Sequence, residues 1–128
     1  MTDENKECSR IEWVDLTVPD ADRLRDFYSA VIGWRPEAVS MREYDDWSML
    51  EPSSGEARAG ICHSRGVNEG MPPQWLIYVT VADLDQSVQK CLSLGGRVIH
   101  GQRNLGENSR FCVIQDPAGA VMALFHQS

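Results

Sequence analysis

The strongest constraint on this chain is an internal repeat with a period of about half its length. A strand-like run that ends at Val18 is followed by Asp20 and a helical stretch, and the same order returns 63 residues later at Val81 and Asp83. A turn-forming segment over residues 51–55 is echoed in the same way near the end of the chain. Such a repeat predicts two similar supersecondary units that pack together in one chain.

The predicted elements follow the same order in both units. Residues 11–18 alternate apolar and polar side chains, which is typical of a strand, and Asp20 is a favourable N-cap for a helix over 21–31. In the second unit Asp83 takes the same place before a helix that runs to about residue 94. The remaining predicted strands cover residues 35–40, 47–50, 57–63, 75–81, 97–100, 110–115 and 121–126. Each half is therefore predicted to be β-α-β-β-β.

Composition and charge narrow the class of protein. The chain has 128 residues, of which 42% are hydrophobic and 24% charged, and this suits a single globular domain. Its net charge of −7 and the absence of a basic run argue against binding to nucleic acids or to anionic membranes. No apolar run approaches the roughly 20 residues that a bilayer-spanning helix needs.

The N-terminal residues are polar and acidic, without the basic and then apolar pattern of a secretory signal. We therefore expect a cytoplasmic protein with a disordered tail over residues 1–9 and one domain over 10–127, made of modules 10–64 and 74–127. In a reducing compartment the cysteines are expected to be free thiols. These cysteines are Cys8, Cys62, Cys91 and Cys112.

Several short motifs give this repeat a family resemblance. They are LTVPD at 16–20, FY at 27–28, IGW at 32–34, VADLD at 81–85, LGG at 94–96 and RF at 110–111 before DPAGA at 116–120. Together with the tandem β-α-β-β-β order, they resemble the vicinal oxygen chelate superfamily, which includes glyoxalase I, bleomycin-resistance proteins and extradiol dioxygenases. The resemblance covers nearly the whole chain.

The resemblance implies an α+β glyoxalase-like fold, in which tandem βαβββ modules form curved mixed sheets around a cleft. Metal-dependent members use His, Gln or Glu from the first and last strands of each half to hold a divalent cation, which acts as a Lewis acid. The corresponding positions in this chain are Trp13, Leu76, Ala59 and Ala123, whose side chains cannot coordinate such a cation. The sequence therefore departs from the metal-dependent pattern, and we predict no metal site and no cofactor.

Side-chain alternation along the strands predicts which residues face the cleft. If Trp13 faces it, Asp15 and Thr17 do so as well, and the same argument applies to the other strands. The ligand-binding residues predicted in this way are Trp13, Thr17, Trp47, Ala59, His63, Leu76, Thr80, Ala123 and Phe125. A wall that is rich in aromatic rings suits a planar or hydrophobic small molecule.

Asp15 and Tyr78 are the candidate catalytic residues on this wall. A carboxylate in the middle of a strand costs free energy unless it is paired or solvated. Asp15 could be a polar anchor for a ligand, or a general base with a raised pKa that Tyr78 or His63 assists. It could also serve only to hydrogen-bond a neighbouring strand or Tyr78, and the sequence leaves these roles open.

Two functions fit these features. The first is a bleomycin-resistance-like protein that binds a small aromatic or amphipathic molecule in a cleft between the modules, without the usual metal. The alternative is a small enzyme, such as a lyase, an isomerase or a dioxygenase-like protein, that uses Asp15 acid–base chemistry or a displaced divalent metal. The sequence leaves open whether any reaction is catalysed. Because family members commonly pair their subunits, the resemblance also implies a homodimer.

Overall fold

A computed structural model describes residues 8–106 and 108–127, and residues 1–7 of the predicted tail lie outside this range. The elements are β1 (Ile11–Val18), α1 (Ala21–Ile32), β2 (Arg35–Ser40), β3 (Asp45–Leu50), β4 (Ala57–His63), a single 3₁₀ turn (Gly66–Asn68), β5 (Trp75–Thr80), α2 (Leu84–Ser93), β6 (Arg97–Asn104), β7 (Ser109–Gln115) and β8 (Val121–Gln127). The predicted order β-α-β-β-β is therefore confirmed for both halves.

The chain divides into two compact units, which we call the first and second modules. The first module comprises residues 13–75, and the second comprises residues 8–12 and 76–127. The start of the chain groups with the second module because the backbone N–H groups of Ser9 and Thr80 donate to the carbonyl oxygens of Thr80 and Arg10, at 2.6 and 2.9 Å. No helix in the described residues is long and apolar enough to cross a bilayer.

The first module is a four-stranded sheet in the order β2-β3-β4-β1, with α1 packed on one face. The pair β1–β4 is parallel, whereas β2–β3 and β3–β4 are antiparallel. The side chain of Asp20 caps α1 by accepting a hydrogen bond from the Arg23 N–H at 3.1 Å, as the sequence predicted. The core between helix and sheet consists of Leu16, Val18, Ala21, Met49 and Ile61.

The second module repeats this arrangement with the order β5-β8-β7-β6. Here β5–β8 is parallel, and the pairs β7–β8 and β6–β7 are antiparallel. Asp83 caps α2 through the Gln86 N–H at 3.0 Å. The helix-side core contains Leu84, Cys112 and Leu124. In the described residues none of the four cysteines forms a disulfide, in agreement with the predicted thiols.

The apolar face of α1 is less buried than its 3- and 4-residue spacing suggests. Only Ala21 of the helix is fully buried, and Leu24 and Tyr28 pack against the core. The side chains of Val31 and Ile32 are 65% and 52% exposed. The helix therefore contacts its sheet mainly through residues up to Tyr28, and its last turn presents apolar surface to solvent.

A β-bulge sets the side-chain directions in the first module. In the β3–β4 pair Leu50 lies opposite Ala57, and Met49 lies opposite Ala59, so Arg58 is an extra residue in β4. A bulge of this kind reverses the alternation between the residues before it and the residues after it. The strand therefore cannot be assigned to faces by counting from the turn that precedes it.

Candidate functional site

The centre of the candidate site is a carboxyl group on β1. Asp15 lies directly opposite Gly60 in the parallel β1–β4 pair. The indole Nε1–H of Trp13 donates to Asp15 Oδ1 at 2.7 Å, and Cys62 Sγ lies 3.7 Å from Oδ2. A Cβ atom at Gly60 would overlap Asp15 Oδ1, so the absence of a side chain there makes room for the carboxyl group. Two donors and one glycine thus fix the orientation of Asp15.

Burial changes the acid–base properties of this cluster. Removal of Asp15 from water raises its pKa from 3.8 to about 6, although the hydrogen bonds from Trp13 and Cys62 act in the opposite direction. The negative charge of Asp46 contributes a smaller upward shift. Burial, followed by the charge of Asp15, raises the pKa of Cys62 far above its ordinary value, so this residue remains a thiol and a donor. The pKa of Asp15 therefore lies closer to neutral pH than the pKa of an exposed aspartate.

A second carboxyl group anchors the neighbouring strand end. Asp46 on β3 is only 5% exposed and accepts a hydrogen bond from the backbone N–H of His63 at 2.9 Å. The Nδ1 atom of His63 lies 3.4 Å from the same oxygen, and its ring makes an edge contact with Tyr44 at a centroid distance of 5.2 Å. This arrangement joins the ends of β3 and β4.

Two residues predicted to share the face of Asp15 lie elsewhere. Because Asp15 is opposite Gly60, Ala59 points to the helix-side face together with Ile61. Trp47 is opposite Ile61 and packs against the same core, and its Nε1–H donates to Asp22 at 2.9 Å. Ala59 and Trp47 therefore do not share a wall with Asp15, since the bulge at Arg58 displaces the alternation of β4 by one residue and Trp47 pairs with Ile61. The ring of His63 lies beside Asp46, and its predicted contact with a ligand stays a prediction. Thr17 is on the expected face, but it is only 2% exposed.

In the second module the alternation is regular. Tyr78 lies opposite Ala123, and Thr80 lies opposite Phe125, so these four residues share the face away from α2. Tyr78, Ala123 and Leu76 are buried, and the Tyr78 ring lies 5.9 Å from that of Phe111. The hydroxyl of Thr80 bonds to the backbone of Arg10, at 3.2 Å as acceptor and 3.4 Å as donor. Contacts between a ligand and the predicted residues of this module stay predictions; these residues are Leu76, Thr80, Ala123 and Phe125.

The residues present do not fit the divalent metal that the family resemblance implies. The register identifies Gly60, 63 positions before Ala123, as the true counterpart of that residue, in place of Ala59. No side-chain oxygen, sulfur or basic nitrogen that could bind a metal is present at the four corresponding positions, which are Gly60, Ala123, Trp13 and Leu76. Among the described residues, no three His, Cys, Asp or Glu side chains converge to hold a metal ion.

The structure also contains a pocket that sequence reasoning missed. It has a volume of about 340 Å³ and lies within the first module, on the helix-side face. Its apolar lining residues are Val14, Tyr28, Ile32, Trp34, Ala59 and Trp75, with Arg58 beside them. Of these residues only Ala59 is among the ligand-binding residues predicted from the sequence. No spacing in the sequence links these aromatic residues, because Tyr28 and Trp75 are 47 positions apart and meet only after the module has folded.

Comparisons with known proteins place the chain in a family. Residues 10–124 match the family described as Glyoxalase/Bleomycin resistance protein/Dioxygenase superfamily. The chain is 33% identical over 114 residues to "Putative glyoxylase CFP32" of Mycobacterium tuberculosis (strain CDC 1551 / Oshkosh), an alignment that covers 88% of this chain and 44% of that protein. It is 27% identical over 127 residues to "Anthracycline biosynthesis protein DnrV" of Streptomyces peucetius, with coverage of 90% and 46%. The chain thus spans less than half the length of these relatives.

Solved structures support the fold. A member of the same superfamily from Vibrio splendidus 12B01 aligns with a TM-score of 0.54 at 11% identity, covering 91% of this chain and 97% of that one. Methylmalonyl-CoA epimerase from Mycobacterium tuberculosis aligns with a TM-score of 0.53 at 20% identity, covering 95% and 90%. At these identities the similarity concerns the fold alone, and it confirms the predicted α+β glyoxalase-like class.

Proposed function

Because this chain belongs to the glyoxalase/bleomycin resistance protein/dioxygenase superfamily, we propose that it binds a small planar or amphipathic molecule on the Trp13–Asp15 face of its first module. The supporting observation is the pairing of a half-buried indole with a half-buried carboxyl group on the sheet face opposite α1. Trp13 offers a flat apolar surface, and Asp15 offers an acceptor for a donor group of the ligand. The predicted homodimer and cytoplasmic location stay predictions.

The fixed orientation of Asp15 supports a role in recognition. Its carboxyl group is held by Trp13 and Cys62 and lies against the backbone of Gly60, so little conformational entropy is lost when a ligand binds. The carboxyl group of Asp15 has lost much of its hydration, so a hydrogen bond from a ligand donor would replace the lost water and contribute favourably to the binding free energy. The ligand is therefore expected to carry a hydroxyl, amino or amide group beside a ring.

Isothermal titration calorimetry with a panel of planar compounds tests this proposal. The panel includes an anthracycline, since two relatives are named as anthracycline biosynthesis proteins. For a compound that carries a hydroxyl, amino or amide group beside a ring and binds, Asp15→Asn and Trp13→Phe are expected to weaken the affinity about tenfold each, which corresponds to roughly 1.4 kcal/mol.

Asp22→Asn is the matched control. It removes the negative charge from the acceptor of another indole N–H, that of Trp47, in the same module but on the helix side. It is expected to leave ligand affinity unchanged. Equal affinities of the wild-type protein and the Asp15→Asn variant for every compound bound would contradict the proposal.

Proton transfer is a second candidate function, and the pKa of about 6 for Asp15 favours it. A carboxylate that gains and loses a proton near neutral pH is suited to abstract a proton from carbon next to a carbonyl group. A test is exchange of such protons for deuterium, followed by ¹H NMR, in a panel of small carbonyl compounds. Exchange catalysed by the wild-type protein is expected to be lost in Asp15→Asn, and exchange that persists in this variant would contradict the role.

A further inference from the structure

The aromatic pocket of the first module lies on the opposite side of the sheet from Asp15. Val14 and Ala59 line it, and both belong to the helix-side face that also carries Leu16 and Ile61. Trp13 and Asp15 alternate with Val14 along β1 and therefore point the other way. A molecule in this pocket would not contact the Asp15 carboxyl group, so the pocket is separate from the site proposed above.

Three aromatic rings form the walls of the pocket in a fixed arrangement. Trp75 makes edge contacts with Tyr28 and Trp34, at centroid distances of 5.1 and 5.9 Å and interplanar angles of 80° and 70°. All three side chains are half-buried, so their faces are only partly covered by the protein. Edge-to-face contacts hold rings rigidly, and rigid aromatic walls favour a flat guest that stacks on one ring and abuts another.

One polar pair lies within this apolar lining. The Nε1–H of Trp75 donates to the hydroxyl oxygen of Tyr28 at 3.1 Å. A phenol that accepts one hydrogen bond can still donate its own proton. The polar group offered to a guest is therefore the O–H of Tyr28, and it calls for an acceptor such as a ring carbonyl.

The charges beside the pocket oppose an anionic guest. The guanidinium of Arg58 is bonded to Glu51 at 3.1 Å and to Glu56 at 2.8 Å, so two carboxylates surround one cation. Hydrogen bonds from Ser54 and Arg58 lower the pKa of Glu51 below its ordinary value. The guanidinium of Arg58 is thus already paired, and a carboxylate or sulfonate on the guest would enter the apolar lining without a partner, at a cost in free energy.

We propose that this pocket is a second small-molecule site, which binds a planar aromatic compound that carries a hydrogen-bond acceptor and no negative charge. A volume of about 340 Å³ lies near the lower end of the range of about 300–1,000 Å³ that is usual for ligand pockets, so the guest is a small one. Ile32 lines the pocket and is 52% exposed, which leaves a path from solvent. The proposal goes beyond the function proposed above and does not depend on it.

Coumarin and coumarin-3-carboxylate are suitable probes, since they share a ring system and a carbonyl but differ in charge. The indole N–H signals of the four tryptophans in a ¹H–¹⁵N NMR spectrum report where a probe binds. We expect coumarin to shift the signals of Trp34 and Trp75 in a saturable manner while those of Trp13 and Trp47 stay in place. The carboxylate is expected to bind at least fivefold more weakly.

Tyr28→Phe tests the polar contact while it preserves the aromatic wall. It is expected to weaken coumarin binding at least threefold, and Asp15→Asn is expected to leave it unchanged. The latter variant separates this site from the Asp15 face. Because Tyr28→Phe changes one hydroxyl in a half-buried ring, the fold is expected to persist. Trp75→Phe provides a second variant, which removes the indole N–H together with part of the aromatic wall and is also expected to weaken coumarin binding.

Three results would overturn the proposal. The first is a saturable shift at Trp13 alone, which would support the Asp15 site instead. The second is a failure of the probes to distinguish the pocket: either coumarin and coumarin-3-carboxylate bind with equal affinity, or neither shifts the Trp34 and Trp75 signals in a saturable manner. The third is a concentration-dependent shift of Trp34 and Trp75 without any probe, together with self-association in sedimentation velocity. This third result would show that a second copy of the chain covers the pocket and the exposed residues of α1.

Discussion

Asp15 and Gly60 face each other across the parallel β1–β4 pair, and the carboxyl group of Asp15 occupies the space in which a Cβ atom at position 60 would lie. The backbone of Gly60 has no left-handed torsion angle, so conformational freedom does not explain this glycine. Its role is steric: it allows Asp15 to lie flat against β4, within reach of the Trp13 indole.

Gly60→Ala is therefore expected to displace the Asp15 carboxyl group and break its hydrogen bond with Trp13. Overpacking of this kind costs about 1–3 kcal/mol of unfolding free energy, measured by urea denaturation. Gly101→Ala is the matched control, because a Cβ atom there would meet only Arg103 Nη1 at an ordinary 3.7 Å. That control is expected to change stability by less than about 0.5 kcal/mol. Equal effects of the two substitutions would argue against the steric role of Gly60.

Stability should depend on pH through Asp15. Its pKa rises from 3.8 to about 6 on folding, so the native protein binds this proton more tightly than the unfolded chain does. The charged carboxylate therefore destabilises the fold; the penalty is fully present above about pH 6 and disappears as the pH falls below about 4. Asp15→Asn removes the charge, and its gain in stability over the wild-type protein is expected to be about 2 kcal/mol larger at pH 7.5 than at pH 4.5. Urea denaturation at both pH values measures this difference, and an equal gain at both would contradict the raised pKa.

Tryptophan fluorescence is an independent measurement of the protonation of Asp15. Because the Trp13 indole donates to Asp15 Oδ1 at 2.7 Å, its emission is expected to change when the carboxyl group is protonated. The difference between the wild-type protein and Trp13→Phe should titrate with a midpoint near pH 6. Asp15→Asn should abolish this titration, whereas Asp22→Asn, which alters the bond to Trp47, should leave it intact. A midpoint near 4 would show that Asp15 is not desolvated.

Local chemistry made most of the fold predictable from the sequence. The N-caps at Asp20 and Asp83 are both observed, because a carboxylate before a helix satisfies backbone N–H groups wherever it occurs. Strand lengths were less predictable. The strand β6 is predicted to end at residue 100 but continues to Asn104. Pairing with β7 extends it through polar residues such as Arg103, which lies opposite Phe111.

The candidate site was predictable only where alternation is regular. Trp13 and Asp15 were assigned correctly to one face because β1 is continuous through them. Ala59 and Trp47 were not, since the bulge at Arg58 depends on the pairing of β3 with β4, which turn residues do not encode. The aromatic pocket arises from contacts between Tyr28 and Trp75, which are 47 positions apart and meet only in the folded module.

The environment of Cys62 leads to a last prediction, on thiol reactivity. Burial and the neighbouring carboxyl group of Asp15 raise the pKa of Cys62, and burial raises that of Cys112 to about 11. Since the thiolate is the nucleophile, neither residue is expected to react with iodoacetamide at pH 8 while the protein is folded. Peptide mass spectrometry after labelling in buffer and in 6 M guanidinium measures this, and all four cysteines should be modified once the chain is unfolded. Asp15→Asn removes a negative charge next to Cys62 and should therefore increase the labelling rate of Cys62. The labelling rate of Cys112 should stay the same. A labelling rate of Cys62 that does not change would show that burial alone suppresses the reactivity of this thiol.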